Sequence, residues 1–181
     1  MKRFLLSLLV MMGLSCATHA QGVDKENTLY LDLKNGRVVI QMRPDLAPKH
    51  VQRIKELTRA GFYDGIVFHR VIRGFMAQTG DPTGTGMGGS DKPDLPAEFS
   101  NALHERGTVS MARANNPNSA NSQFFICFKK AASLDGQYTV WGQVVEGMEF
   151  VDRIKKGSSF NNGTVTNPDK IIKMQVAADV K

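Results

Sequence analysis

The sequence predicts a mainly β protein: a closed antiparallel β-barrel with two α-helices. Three observations predict it. Apolar and β-branched residues fall in short runs separated by turn formers, the pattern of antiparallel strands. Only two segments carry apolar residues at helical spacing. Strand and helix patterns do not alternate along the chain, which disfavours a parallel sheet, and closure removes exposed strand edges.

The chain opens on "MKRFLLSLLVMMGLSCATHA". Lys2 and Arg3 lead an apolar run from Phe4 to Leu14, and Thr18 and Ala20 occupy the minus-three and minus-one positions of a cut before Gln21. This is the layout of a signal peptide over residues 1–20. The run is too short for a spanning helix, which takes roughly 20 residues. No later segment is apolar enough to span a membrane, so no stable membrane insertion is expected. Cys16 offers a lipid-anchored form as an alternative. Residues 21–181 then form one domain, without an internal linker or repeat.

The formal net charge is +6, and losing Lys2 and Arg3 lowers it by two. Lysines and arginines are scattered, so the basic balance reads as a solvated surface and not as a nucleic-acid stripe. Cys127 is the only cysteine beyond the leader. No intramolecular disulfide is expected, and stability has to come from the core.

"TLYLDLKNGRVVIQM" gives a hairpin with strands near 28–34 and 37–42, joined at Asn35-Gly36 by a type I′ turn. "PKHVQRIKELTR" predicts a helix from Pro48 to Arg59. Its proline suits the first helical position, and Gly61 ends it. Val51, Ile54 and Leu57 form its inward stripe; Lys49, Arg53, Lys55 and Glu56 are expected to face water. "GIVFHRVI", "FMAQTGD", "GTVSMA", "QFFICF" and "YTVWGQVV" read as strands. "GMEFVDRIKKG" is a second short helix with Phe150, Val151 and Ile154 inward, and "DKIIKMQVAAD" a last strand. Two loops interrupt this pattern, over residues 79–107 and 112–122. Gly84, Gly86 and Gly89 spell a dinucleotide fingerprint by letters only. Pro93 and Pro96 preclude the helix that such a motif needs, so a flexible loop is expected.

Few residues suggest covalent chemistry. No serine or cysteine stands beside a base in the sequence, and no paired carboxylates are evident. His50, His69 and His104 show no metal-ligand spacing, so no metal and no cofactor is expected. Asp81 and Asp135 flank turn glycines and read as turn formers. Asn162-Gly163-Thr164 is formally a glycosylation sequon. Arg70 stands out because it lies in an apolar strand, with Phe68 and Ile72 on its own face, where a cation needs a partner. Gln78, Gln123 and backbone carbonyls are candidates. The residues alone leave open whether Arg70 is a functional cation or a barrel-end ion pair.

"FHRVIRGFMAQTGD", "GTVSMAR", "NSANSQFFI" and "LDGQYTVWGQVVEGM" together resemble the cyclophilin family of peptidyl-prolyl cis-trans isomerases. The resemblance spans the chain beyond the leader and is nearest in character to the bacterial exported branch. It implies an eight-stranded antiparallel barrel capped by two helices, and an enzyme that accelerates rotation about X-Pro bonds in folding proteins of the periplasm. It makes Arg70 and Gln78 catalytic. It assigns Phe75, Met76, Phe125 and Leu134 to the proline pocket, Gln123 to a polar contact, and Ala112, Arg113 and Ala114 to backbone pairing with the peptide. Tyr138 stands where many members carry histidine. The implied partners are proline-containing segments, met by a monomer. A holdase that grips such segments without turnover is the alternative. Arg73 replaces a common proline, and Arg113 a common asparagine. Ser133 replaces a tryptophan that contacts cyclosporin, so weak inhibition by that compound is expected.

Overall fold

The computed structural model describes residues 24–181. The expected leader and Cys16 lie outside the described residues. Eight strands form one antiparallel sheet: β1 (Thr28–Leu33), β2 (Gly36–Met42), β3 (Arg70–Ile72), β4 (Met76–Thr79), β5 (Thr108–Met111), β6 (Phe124–Cys127), β7 (Val140–Glu146) and β8 (Lys173–Val176). The helices are α1 (Pro48–Arg59) and α2 (Met148–Asp152).

The expected closed barrel is corrected. The strand order is β3-β4-β6-β5-β7-β2-β1-β8, so β3 and β8 are edges with no ladder between them. The sheet curls into an open half-barrel. Its seam is crossed by irregular contacts, among them the Val67–Lys170 bridge, the Ile171 N–H donating to the Ile66 carbonyl, and the Gly65 N–H donating to the Ile171 carbonyl. The segment that crosses the seam before β8 contains Pro168, which has no N–H to give, and Asn167, held at φ 51°. Phe68 is likewise not on the face of Arg70: regular β3 starts only at Arg70, and the Phe68 ring is fully buried in the core.

The first hairpin forms with almost the predicted strands, but its turn differs. Leu33 pairs with Gly36, so Lys34 and Asn35 make the turn, and Asn35 is not among the positive-φ residues. Gly36 carries the unusual angle, φ 145°. A Cβ there would sit 2.5 Å from the Phe150 ring, so the glycine admits α2 onto the hairpin.

α1 runs over the predicted residues, and Val51, Ile54 and Leu57 are buried. Arg53 is buried too, against expectation. His50, Arg53, Ile54 and Leu57 stand at i, i+3, i+4 and i+7, a single inward face. Ala47 supplies no side-chain cap. Glu98 does so from the long loop, accepting from the Lys49 and His50 N–H groups at 3.2 and 3.1 Å. The core inside the sheet is built on edge-to-face rings: Tyr63 meets Phe124 at 5.6 Å, and Phe124 meets Trp141 at 5.5 Å. Among the described residues no helix is long and apolar enough to cross a membrane.

Candidate active site

Strand alternation sets up the site. On β4 and β6, Ala77, Phe124 and Ile126 belong to the interior core. Their neighbours Met76, Phe125 and Cys127 form a second cluster on the outer face, with Ile72, Phe75, Ala112, Leu134 and Tyr138 packed against it. Arg70 pairs in register with Gln78, and Gln78 with Phe125, so cation, amide and ring lie in one row across β3, β4 and β6.

This cluster surrounds a cavity of about 170 Å³ walled by Arg70, Phe75, Met76, Gln78, Ala112, Arg113, Phe125, Leu134 and Tyr138. Every one of these was named from the sequence. The two other predicted residues, Ala114 and Gln123, line an adjoining cavity of about 520 Å³ that shares Gln78, Ala112 and Arg113 with the first. Phe125 and Tyr138 meet edge to face at 5.8 Å. Ser133 is exposed and contributes nothing to either wall.

The guanidinium of Arg70 is held from two sides. Nη1 donates to Gln78 Oε1 at 3.1 Å. Nε donates to the backbone carbonyl of Asn162 at 3.0 Å, and Nη2 to its side-chain Oδ1 at 2.9 Å. A guanidinium has five N–H donors, so one on each Nη is left over. Burial lowers the Arg70 pKa, with Tyr138 opposing, yet arginine stays charged in proteins. Gln78 Nε2 donates to Gln123 Oε1 at 2.9 Å. Gln123 Nε2 donates in turn to the carbonyls of Gly86 and Gly88, at 3.0 and 2.8 Å.

The loop at the end of that chain is folded around a carboxylate. Asp81 is fully buried and accepts from the backbone N–H groups of Thr83, Thr85, Gly86 and Gly88. Burial pushes its pKa up, but these donors and the Thr83 hydroxyl outweigh burial and hold it at about 2. Of the three glycines that spell the dinucleotide fingerprint, Gly86 thus spends its N–H on the Asp81 carboxylate and Gly84 on the Asp81 backbone carbonyl. Gly88 has to be glycine, because a Cβ would meet the Asp81 Oδ1 at 2.3 Å.

A third arrangement was invisible along the sequence. His104 Nδ1 pairs with Asp135 at 3.0 Å and Nε2 with the Ser110 hydroxyl at 3.1 Å. The letters are those of a hydrolase triad. Here, however, Ser110 and His104 are fully buried, and the serine hydroxyl donates to the Thr139 carbonyl at 2.8 Å. The His104 ring instead stacks behind Phe125, 6.1 Å between centroids. Asp135 and Thr139 adjoin Leu134 and Tyr138 in the chain, so the triplet braces three walls of the cavity.

The backbone at 112–114 has free groups on the cavity side. Ala112 N–H is used by Gln123, and Ala114 N–H by Ser119. Among the described residues, the Arg113 N–H and the Ala112 carbonyl have no partner in the chain. The Arg113 side chain is tied down, donating to the carbonyls of Ala114, Asn115 and Gln137 and lying 4.5 Å over the Tyr138 ring. His69 is in the wall of neither cavity and is buried next to Gly86. Among the described residues no three His, Cys, Asp or Glu side chains come together as a metal site would need. Asn162 is the functional residue that sequence reasoning missed. It was visible only as a sequon, although asparagine is one of the few residues at ease in the left-handed region, where it sits at φ 47°.

Fold and site thus define a β-sheet protein with an apolar cavity beside a fixed hydrogen-bond donor and, among the described residues, no exposed nucleophile paired to a base. Residues 28–176 match the family model of cyclophilin type peptidyl-prolyl cis-trans isomerases. A probable peptidyl-prolyl cis-trans isomerase of Brucella suis is 56% identical over 183 residues, covering 95% of this chain and 93% of that protein. Peptidyl-prolyl cis-trans isomerase-like 3 of Mus musculus is 44% identical over 133 residues, covering 71% and 81%. Among solved structures, the cyclophilin AquaCyp293 of Hirschia baltica superposes with a TM-score of 0.78 at 28% identity, covering 88% of this chain and 77% of that one. A Cryptosporidium parvum cyclophilin crystallised in the presence of the dipeptide Ala-Pro gives 0.75 at 27%, covering 82% and 98%. The chain belongs to the cyclophilin family and is a peptidyl-prolyl cis-trans isomerase.

Proposed function

We propose that this isomerase acts on X-Pro bonds of exported proteins as they fold, as a monomer in the periplasm, with Arg70 as its catalytic residue. The export reading rests on the leader pattern of residues 1–20. The substrate reading is supported by the relative crystallised with Ala-Pro. The observation that carries the mechanism is the clamped Arg70 guanidinium in the wall of an apolar cavity.

Rotation about an X-Pro bond makes and breaks no covalent bond. Its barrier is about 18–20 kcal/mol because amide resonance is lost on twisting. In the twisted state the proline nitrogen regains a lone pair. Phe75, Met76, Phe125 and Leu134 grip the ring, and the free N–H groups of Arg70 reach the prolyl amide. Catalysis follows to the extent that this donor binds the twisted state better than either planar one. Gln78 and Asn162 fix the donor beforehand, so little reorganisation is needed at the barrier. Arg113 N–H and the Ala112 carbonyl align the peptide backbone.

The test is X-Pro exchange in a short peptide by NMR line shape, in wild type and Arg70→Ala. The expected loss of kcat/KM is about a hundredfold, the usual scale for one preorganised donor. Peptide binding without exchange in wild type would make the chain a proline-segment holdase instead.

A further inference from the structure

We propose that Arg73 and Lys129 form a cationic rim that favours clients with acidic side chains close to the proline. The inference rests on the reading of the neighbouring cavity as the proline site.

The backbone brings the two cations together. Arg73 and Gly74 form the β3–β4 turn, closed by the Phe75 N–H to Ile72 at 3.0 Å. The Phe128 N–H then donates to the Phe75 carbonyl at 2.9 Å, which lays the chain after β6 beside that turn. Lys129 folds across Gly74: a Cβ on this glycine would lie 3.4 Å from Lys129 Cε and 3.5 Å from its Nζ. Both cations are exposed. Between them and the cavity stands Phe75, one of its walls.

Among the described residues neither charge is answered by a carboxylate. Arg37, Arg43, Arg59 and Arg106 each pair with a carboxylate. Among the described residues Arg73 and Lys129 have no ion pair and no side-chain hydrogen bond. The nearby carboxylates are occupied, Glu105 by Lys130 and Asp152 by Arg106. A third cation lies close. Burial, with Arg73 adding to it and Asp152 opposing, lowers the pKa of Lys156, whose Nζ sits 4.7 Å over the Phe128 ring. Along the groove the one acid in either wall is Asp94, on the far cavity, and it accepts from Asn121. Asp152 offsets part of the charge at Lys156 but is itself paired with Arg106; like charges only partly answered repel one another, and a carboxylate on a bound peptide relieves that repulsion. Rim charges act mainly on encounter and partner choice, and salt weakens them.

The experiment uses three peptides that differ only in carrying Glu, Gln or Lys two residues from a proline, on either side in turn. Affinity is read by chemical-shift titration and turnover by exchange. Wild type is expected to favour the Glu peptide over the Gln peptide by about three- to tenfold at low salt, with the gap closing at about 0.5 M salt. The pair R73Q/K129Q should abolish the preference. The pair R73E/K129E should turn it toward Lys, with the Gln peptide handled as by wild type. Equal affinity for all three peptides, or a Glu preference that survives charge reversal, overturns the rim. Failure of wild type to bind the Gln peptide counts against the cavity reading, while the contrast between Glu and Lys still reports on the rim.

Discussion

The two faces of β4 and β6 are made of similar residues and do different work. Inside, Ala77, Phe124 and Ile126 are fully buried in the main core, where the Phe124 ring meets Tyr63 and Trp141 edge to face. Outside, Met76 and Phe125 are almost as buried, at 2% and 4% exposure, yet the layer over them stops at Phe75, Leu134 and Tyr138 and leaves a cavity. A strand with apolar residues on both faces needs two covers. Where the second cover is incomplete, the unfilled space becomes a binding site, and a cation placed at its rim gives it chemistry.

The sharpest way to break this comparison is to truncate one ring on each face. Phe124→Ala should lower stability by about 3–5 kcal/mol, the usual cost of emptying a closed core. Phe125→Ala should cost about half of that or less, because its cavity already opens to water, and should raise KM more than tenfold. Denaturant unfolding and peptide exchange on both variants check the pair; equal stability losses would mean that the outer cluster is ordinary core.

Asp81 is the next largest effect. Its carboxylate titrates at about 2 in the folded protein, below the ordinary 3.8. The stability it contributes is therefore complete above pH 4 and is lost as pH falls through about 2. That is about 2 kcal/mol by linkage. In Asp81→Asn, stability at pH 7 should fall by this order, and the acid limb of the stability curve between pH 4 and 2 should flatten.

His104 and Asn162 act through others and should give smaller effects. His104→Phe keeps the stack on Phe125 but loses the bonds to Asp135 and Ser110. KM should rise about fivefold with kcat little changed, since the pocket walls loosen while Arg70 keeps its partners. Asn162→Ala should do the reverse, lowering kcat about five- to tenfold with KM nearly constant, because it removes the side-chain bond to Nη2 and leaves only the Asn162 carbonyl and Gln78 to fix the guanidinium. A common loss of kcat and KM in both variants would show that the two residues serve the fold alone.

Much of this was legible beforehand, for stated reasons. α1 was readable from Pro48 to Arg59 because proline and the apolar spacing are local signals. The cavity walls were readable because four sequence blocks carry a family pattern; the structure sets nine of the named residues around one cavity and Ala114 and Gln123 around the adjoining one. Arg53 was misplaced because its charge was weighed above its position on the inward face. The turn at Lys34–Asn35 was misread because Asn-Gly allows a positive φ at both residues without requiring it.

The sequence by itself determined the strands, the helices, the alternation that puts Phe124 inside and Phe125 outside, and the residue types at the site. Tertiary structure alone decided that the sheet stays open between β3 and β8, that Asn162 returns across ninety-two positions to clamp Arg70, and that Asp135, His104 and Ser110 meet behind the pocket. The reason is physical. Periodicity and capping report on neighbours within a turn or a strand. Which distant carbonyl satisfies a half-buried cation, and which seam fails to pair, depend on backbone geometry that exists only once the chain has folded.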